Sequence, residues 1–267
     1  MKLASTIVNI VLLAGCCVLL ILTVAGGSSN HFPFNEFYWL RADTSNIRHA
    51  PNLSAWTFWG VCEYRDFSSC TLGPAYPISP VDNFSTEQNV PKDFVDNEKT
   101  YYYLTRFSFG FTFVGLCFAG IALLIDLLGL CFEIVDKVVM VFVTLALIFV
   151  GGTAGMQTAA AVMARNAFQG DDLKAHVGVK AFGILWGSVG CLIIIFFNTC
   201  FGNISNSYRK HITKVQETKD EHYVPPQGDN DASSFTRNVE EPKEENNGGI
   251  RFFKIKRNNK VSDEESV

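Results

Sequence analysis

Two cysteines eight residues apart, Cys62 and Cys70, are the residues in this sequence best placed to form a covalent bond with each other; the chain's eight cysteines include no others between residues 26 and 106. An oxidising compartment favours pairing them, and closing so small a loop contributes about 2 to 3 kcal/mol on the chain-entropy account. The alternative is two free thiols. Zinc fits poorly, since no further cysteine or histidine cluster in the segment completes a four-ligand set. Directly upstream runs Trp56-Thr57-Phe58-Trp59-Gly60-Val61-Cys62, and aromatic rings can pack over a disulfide and cap a small fold. Two glycosylation sequons lie in the same segment, at Asn52 and Asn83; a third, at Asn203, follows the last apolar run too closely to be used. Ser262, before Asp263-Glu264-Glu265, resembles an acidophilic kinase site. Cys131 and Cys200 fall at predicted helix ends, where they are either acylation sites or small buried hydrophobes. The histidines His31, His49, His176, His211 and His222 are scattered, with no nucleophile or phosphate-binding motif beside them. No enzyme, cofactor or metal is therefore expected.

The elements that carry these residues follow from how the apolar residues are grouped. They make up 48% of 267 residues and gather in four runs of about the 20 residues needed to cross hydrocarbon. Segment 1–25 holds the first span, and 107–131, 138–163 and 177–201 hold the others. In lipid each must be a helix, which satisfies its backbone groups from within. The first run, from Ile7 to Ala25, exceeds the apolar core of about 7 to 15 residues of a cleaved signal peptide, so it reads as an anchor. The fold class is an all-α membrane protein: a four-helix bundle with a disulfide-stapled first extracellular loop and a disordered cytosolic C-terminal tail.

Positive charge next to the spans sets orientation. Arg209, Lys210, Lys214 and Lys219 face one acid, Glu217, which places both termini in the cytosol. Residues 26–106, with nine acids against six bases, then form an extracellular loop, 132–137 a cytosolic turn, 164–176 a short second outer loop, and 202–267 the tail. Pro74, Pro77 and Pro80 predict an extended path in the first loop. Helix seams should be marked by small residues: Gly115 with Ala119, Gly151 with Gly155, and Gly183 with Gly187, with self-association as an extension. Gln157 and Asn198 read as interhelical hydrogen-bond partners, and Asp126 as an interfacial carboxylate in contact with headgroup water.

A tryptophan, glycine and cysteine followed by a second cysteine, in the first outer loop of a four-span protein, resembles the claudin signature. Phe37-Tyr38-Trp39, Trp56-Thr57-Phe58-Trp59-Gly60, Ala75 to Phe84, Tyr102 to Phe109 and Gln157-Thr158-Ala159-Ala160 together resemble the Sur-seven branch of the Sur/PalI family, fungal tetraspan proteins of eisosomes. The resemblance implies a stable protein of the fungal plasma membrane in furrow-like cortical patches, linked to cell-wall organisation, sphingolipid balance and stress response. It implies scaffold proteins of the eisosome, and copies of the chain or its paralogues, as partners.

The tail is polar and should not fold alone. Arg251, Phe252, Phe253, Lys254, Lys256 and Arg257 form a basic cluster with two insertable rings, suited to anionic lipid or the scaffold coat, or else simply solvated; phosphate at Ser262 weakens that attraction. Membrane lipids are thus expected partners, and nucleic acid is not. The functional reading is a structural organiser of a membrane domain. Its rivals are a sensor of the PalI type and, with few polar residues along the spans to support it, a transporter or channel.

Overall fold

The computed structural model describes residues 2–129 and 135–220, so Cys131, the 251–257 cluster and Ser262 lie outside the described residues. In chain order it holds helix α1 (Lys2–Ala25), strands β1 (Leu40–Asp43), β2 (Leu53–Trp56), β3 (Gly60–Glu63) and β4 (Asp66–Leu72), and short helices α2 (Pro80–Phe84) and α3 (Lys92–Asp96). Helices α4 (Glu98–Gly129) and α5 (Val135–Gly170), strand β5 (Ala175–Val177) and helix α6 (Val179–Asp220) complete it. The four long helices are each apolar and long enough to cross a bilayer. α4 packs along α5 and α1 along α6, each pair antiparallel, and the strands sit at one end as a cap.

The helices outrun the predicted spans. α4 begins at Glu98 rather than residue 107, and α5 ends at Gly170 rather than 163. At about 1.5 Å per residue, the 36 residues of α5 reach about 54 Å, well beyond hydrocarbon about 30 Å thick. The polar tail expected from residue 202 is helical as far as Asp220. An established helix extends without a new nucleation cost, and Ile204, Tyr208, Ile212 and Val215 recur at helical spacing, all exposed.

The buried side chains show what joins the helices. On α4 they are Tyr101, Thr105, Ser108, Thr112, Gly115, Ala119, Ala122 and Asp126, alternating steps of four and three, which is the 3.5-residue repeat of a left-handed helix pair. α5 follows the same repeat through Val139, Val143, Ala146, Val150, Thr153 and Gln157. Most of these residues are small or hydrogen-bonded because helices in lipid gain nothing by burying leucine against leucine. Ser108 Oγ donates to Gln157 Oε1 (2.5 Å), and Thr112 Oγ1 to Thr153 Oγ1 (3.3 Å). Between α1 and α6, Asn198 Nδ2 donates to Asn9 Oδ1 (2.7 Å), Ser5 Oγ to Asn198 Oδ1 (3.0 Å) and Asn9 Nδ2 to Thr199 Oγ1 (3.1 Å).

This repeat corrects the glycine assignment. A methyl group added at Gly115 would stand 2.6 Å from Val150 Cγ2, and at Gly187 3.6 Å from Leu19, so both positions lie against a neighbouring helix. Gly151, Gly155 and Gly183 have nothing within 4 Å of such a methyl, so none of them lies against a neighbouring helix among the described residues. Asp126 also departs from expectation. It falls on the seam stripe, is 3% exposed, and its Oδ2 has no hydrogen-bond partner among the described residues.

Gly115→Leu should overpack the α4–α5 seam, lowering stability by about 1 to 3 kcal/mol, whereas Gly155→Ala should leave it unchanged or slightly raised. Thermal unfolding of the detergent-solubilised protein measures both. Equal melting temperatures for Gly115→Leu and the parent would refute the seam.

Candidate functional site: the disulfide-stapled cap

The cap is built from short strands whose pairing the local sequence arranges. Thr57, Phe58 and Trp59 turn the chain between β2 and β3: the backbone N–H groups of Trp59 and Gly60 both donate to Thr57 Oγ1, each at 3.1 Å, a hydroxyl-supported turn. Gly60 is required there, since a Cβ at this position would lie 2.2 Å from the Thr71 carbonyl oxygen on β4. β3 and β4 then pair with Cys62 directly opposite Cys70, and the disulfide joins them. Cross-strand neighbours lie within the reach of such a bridge.

Five strands form one antiparallel sheet in the order β4-β3-β2-β1-β5. β5 comes from the connection between α5 and α6, so both loops at this end contribute to one sheet. Leu40, Arg41 and Ala42 of β1 face Val177, His176 and Ala175 of β5. Gly178 follows at once, its N–H bonded to Trp39 O (2.9 Å), and α6 starts at the next residue. A Cβ at Gly178 would fall 1.6 Å from the Tyr38 carbonyl oxygen, so no other side chain fits this junction as it stands.

Aromatic side chains dock the sheet on the bundle. Trp59 Nε1 donates to Val24 O (2.6 Å), one of the last carbonyls of α1, which a helix end leaves without an intrahelical partner. Its ring meets Phe109 of α4 at 5.6 Å, and Trp39 meets Phe182 of α6 at 5.1 Å. Trp56, 0% exposed, touches Phe84 and Phe168 of α5, while Phe94 bridges Phe168 and Tyr101. The expectation that the tryptophans cover the disulfide needs revision for Trp56. Ala55 is the residue opposite Cys62, and alternation along a strand sends the neighbouring Trp56 to the other face.

Trp56 Nε1 donates to Asn83 Oδ1 (2.6 Å), so one sequon asparagine is also a structural acceptor; Asn52 is exposed just before β2. The proline run is not extended throughout. Pro74 and Ala75 form a turn, Tyr76 N–H bonds Phe58 O (3.0 Å), and Pro80 opens α2 behind its N-cap Ser79, the position where proline's missing N–H costs nothing. Cys200 is half-buried on α6. Among the described residues, no three histidine, cysteine or acidic side chains gather in a way that could hold a metal.

Residues 5–198 match the SUR7/PalI family, over more than half of the chain. The chain belongs to this family. A Candida albicans protein named SUR7 is 57% identical over 270 residues, spanning 100% of both chains. The SUR7 protein of Saccharomyces cerevisiae is 40% identical across 74% of this chain and 67% of its own. A plasma membrane protein of the same yeast is 28% identical across 70% of this chain and 64% of that one. This SUR7/PalI-family member is a mostly helical, multi-pass membrane protein whose disulfide-stapled strands lie in the connection between its first two spans.

Gly178→Ala should force β5 away from β1 and loosen the cap without disturbing the α4–α5 seam. Hydrogen exchange should then rise at residues 175–177 and 40–43, while 108–119 keep their protection. Unchanged exchange in β5 would overturn the junction's tightness.

Proposed function

We propose that this protein is a non-enzymatic organising component of a specialised plasma-membrane domain, the eisosome furrow, contributing there to cell-wall organisation, sphingolipid and membrane homeostasis and stress response. The observation that carries this reading is how the polar groups within the bundle are used. Ser108, Thr112, Thr153 and Gln157, and separately Ser5, Asn9, Asn198 and Thr199, hydrogen-bond one another across helix seams. They fasten helices together instead of lining a route between them, which weighs against a transporter or channel. Family membership and the name of the plasma-membrane relative support the same reading.

In this reading the cap faces the wall and both termini face the cytosol. A disulfide in the cap fits an oxidising side, and basic Arg209 and Lys214 beyond the last apolar stretch fit the cytosolic one. Asn52 and Asn83 then carry glycans, Cys131 and Cys200 accept acyl chains, and Gly151, Gly155 and Gly183 serve contacts with further copies or paralogues. The 251–257 cluster docks on anionic lipid or on the eisosome scaffold, under the control of phosphate at Ser262. In intact cells, a membrane-impermeant protease should cut the cap, after reduction, and leave a C-terminal tag whole. Cleavage of both from one side would reject the arrangement.

The joint description of the family with PalI supports a second reading, a sensor or signalling adaptor for ambient pH or stress. Imaging separates the two. The tagged chain should form static cortical patches coincident with the furrow scaffold, and an internal-organelle pattern would refute the organiser. If deleting residues 221–267 abolished a stress response but left the patches intact, the adaptor would take its place.

A further inference from the structure

Where β1 meets β5 and α6 begins, the cap borders an open cavity of about 600 Å³. Three permanent cations line it, Arg41, Arg65 and Lys180, against one carboxylate, Glu36, and that carboxylate is taken by Lys180 in an ion pair. The cavity therefore carries two positive charges in excess, three minus one with His176 counted neutral, in a chain whose formal net charge is −4. Arg41 and Arg65 stack on one ring, their guanidinium carbons 4.8 and 5.5 Å from the centroid of Tyr64, and Tyr38 meets that ring edge-on at 5.5 Å. Partial burial works to raise the Tyr64 hydroxyl, yet its hydrogen bond with Arg65 and the nearby Arg41 charge hold it below the ordinary phenol value. The field in the cavity thus favours negative charge. Val179 and Lys180 belong to the first turn of α6, whose macrodipole adds its positive end.

Two further features narrow the occupant. Asn35 is on the cavity wall, and its Oδ1, buried beneath that surface, has no hydrogen-bond partner among the described residues; an unmet acceptor that a turn of the side-chain amide brings to the cavity suits a ligand that carries a hydroxyl donor as well as its anion. Below the cavity, α6 exposes Val179, Trp186, Ile193 and Phe197, whose spacings of seven, seven and four keep them on one face of the helix. Gly190, with nothing within 4 Å of an added methyl, leaves this surface notched. Val179, 80% exposed, lies both on the cavity lip and at the top of the stripe. A polar, cationic chamber continuous with an apolar track along a spanning helix has the layout of a headgroup over its chains.

We propose that this cavity binds the anionic phosphodiester headgroup of a hydroxyl-bearing lipid from the leaflet on the capped side, with an acyl chain lying along the 179/186/193/197 stripe. Arg41 and Arg65 hold the phosphate, the α6 N-terminus supports it, and Asn35 Oδ1, once its amide turns into the cavity, accepts from a headgroup hydroxyl. The inference rests on the outward placement of the cap proposed above, which makes this the outer leaflet.

Native mass spectrometry of the full chain in detergent tests it, with phosphatidylinositol, phosphatidylcholine and soluble glycerol 3-phosphate as probes. Phosphatidylinositol should be retained over phosphatidylcholine, and R41Q/R65Q should cut that retention about thirtyfold, since each of the two basic residues near an anionic headgroup counts for about 1 kcal/mol. The double variant keeps residues 251–257, so any lipid held by the tail is common to both proteins, and R48Q/K92Q, elsewhere on the cap, should bind as the parent does. Val179→Asn should weaken lipid binding and leave glycerol 3-phosphate unaffected. Equal retention of both lipids, or parent-like binding by R41Q/R65Q with an intact melting temperature, would overturn the proposal. Glycerol 3-phosphate binding as tightly as the lipid would overturn its lipid part. Loss of binding with cortical patches intact would sink this inference alone, whereas binding without patches would sink the organiser reading alone.

Discussion

Hydrocarbon offers no hydrogen bonds, so a side chain such as Gln157 must find its partner on a neighbouring helix or remain unsatisfied. That requirement shapes the bundle. It draws Ser108 against Gln157 and Asn9 against Asn198, and such short polar pairs can meet only if the helices approach closely. Close approach in turn needs Gly115, Ala119 and Ala146 on the same stripes. The polar pairs and the small residues are therefore two expressions of one condition, and the aromatic cap can dock only on helix tops already set by it.

The cap meets the complementary condition. Strands of three to seven residues are too short to stand alone, and they persist here because they are tied on several sides. The disulfide joins β3 to β4, Trp59 fastens the β2–β3 turn to α1, Trp56 and Phe94 gather around Phe168, and β5 ties the sheet to α6. The indole of Trp59 satisfies a carbonyl that α1 itself leaves open, so a motif that reads as aromatic packing also finishes a helix.

Much of this was legible in the sequence, and what was hidden was hidden for physical reasons. Four long apolar runs announced the spans, two cysteines sharing one loop announced the bridge, and Gln157 and Asn198 stood out as polar side chains with no water to meet. Seam register did not stand out, because a helix in lipid is apolar on every face and hydrophobic periodicity cannot tell a neighbour from solvent. Glycines four apart drew attention to Gly151 and Gly155, while the alternation of four and three selected Val150 and Thr153. The sheet was hidden because its pairing is non-local: nothing near Ala175-His176-Val177 reveals that Arg41 lies opposite. The basic chamber was hidden for the same reason, since Arg41, Arg65 and Lys180 are brought together only by that pairing.

The junction at Gly178 sets how α6 can move. β5 is held against β1 up to the residue before it, and the helix begins at the residue after, so there is no slack linker at which the rod could slide along its own axis. Its last turns, past the level where α1 and α5 start, have exposed apolar side chains and no strand to hold them. α6 is thus a lever with its fulcrum at the sheet edge, and α1, tied to it through Asn9–Asn198 and Ser5–Asn198, tilts with it. A tilt of about 5° there displaces Gln216, about 57 Å along the helix at 1.5 Å per residue, sideways by about 5 Å, so a slight shift of the cap reappears magnified at the opposite face of the membrane.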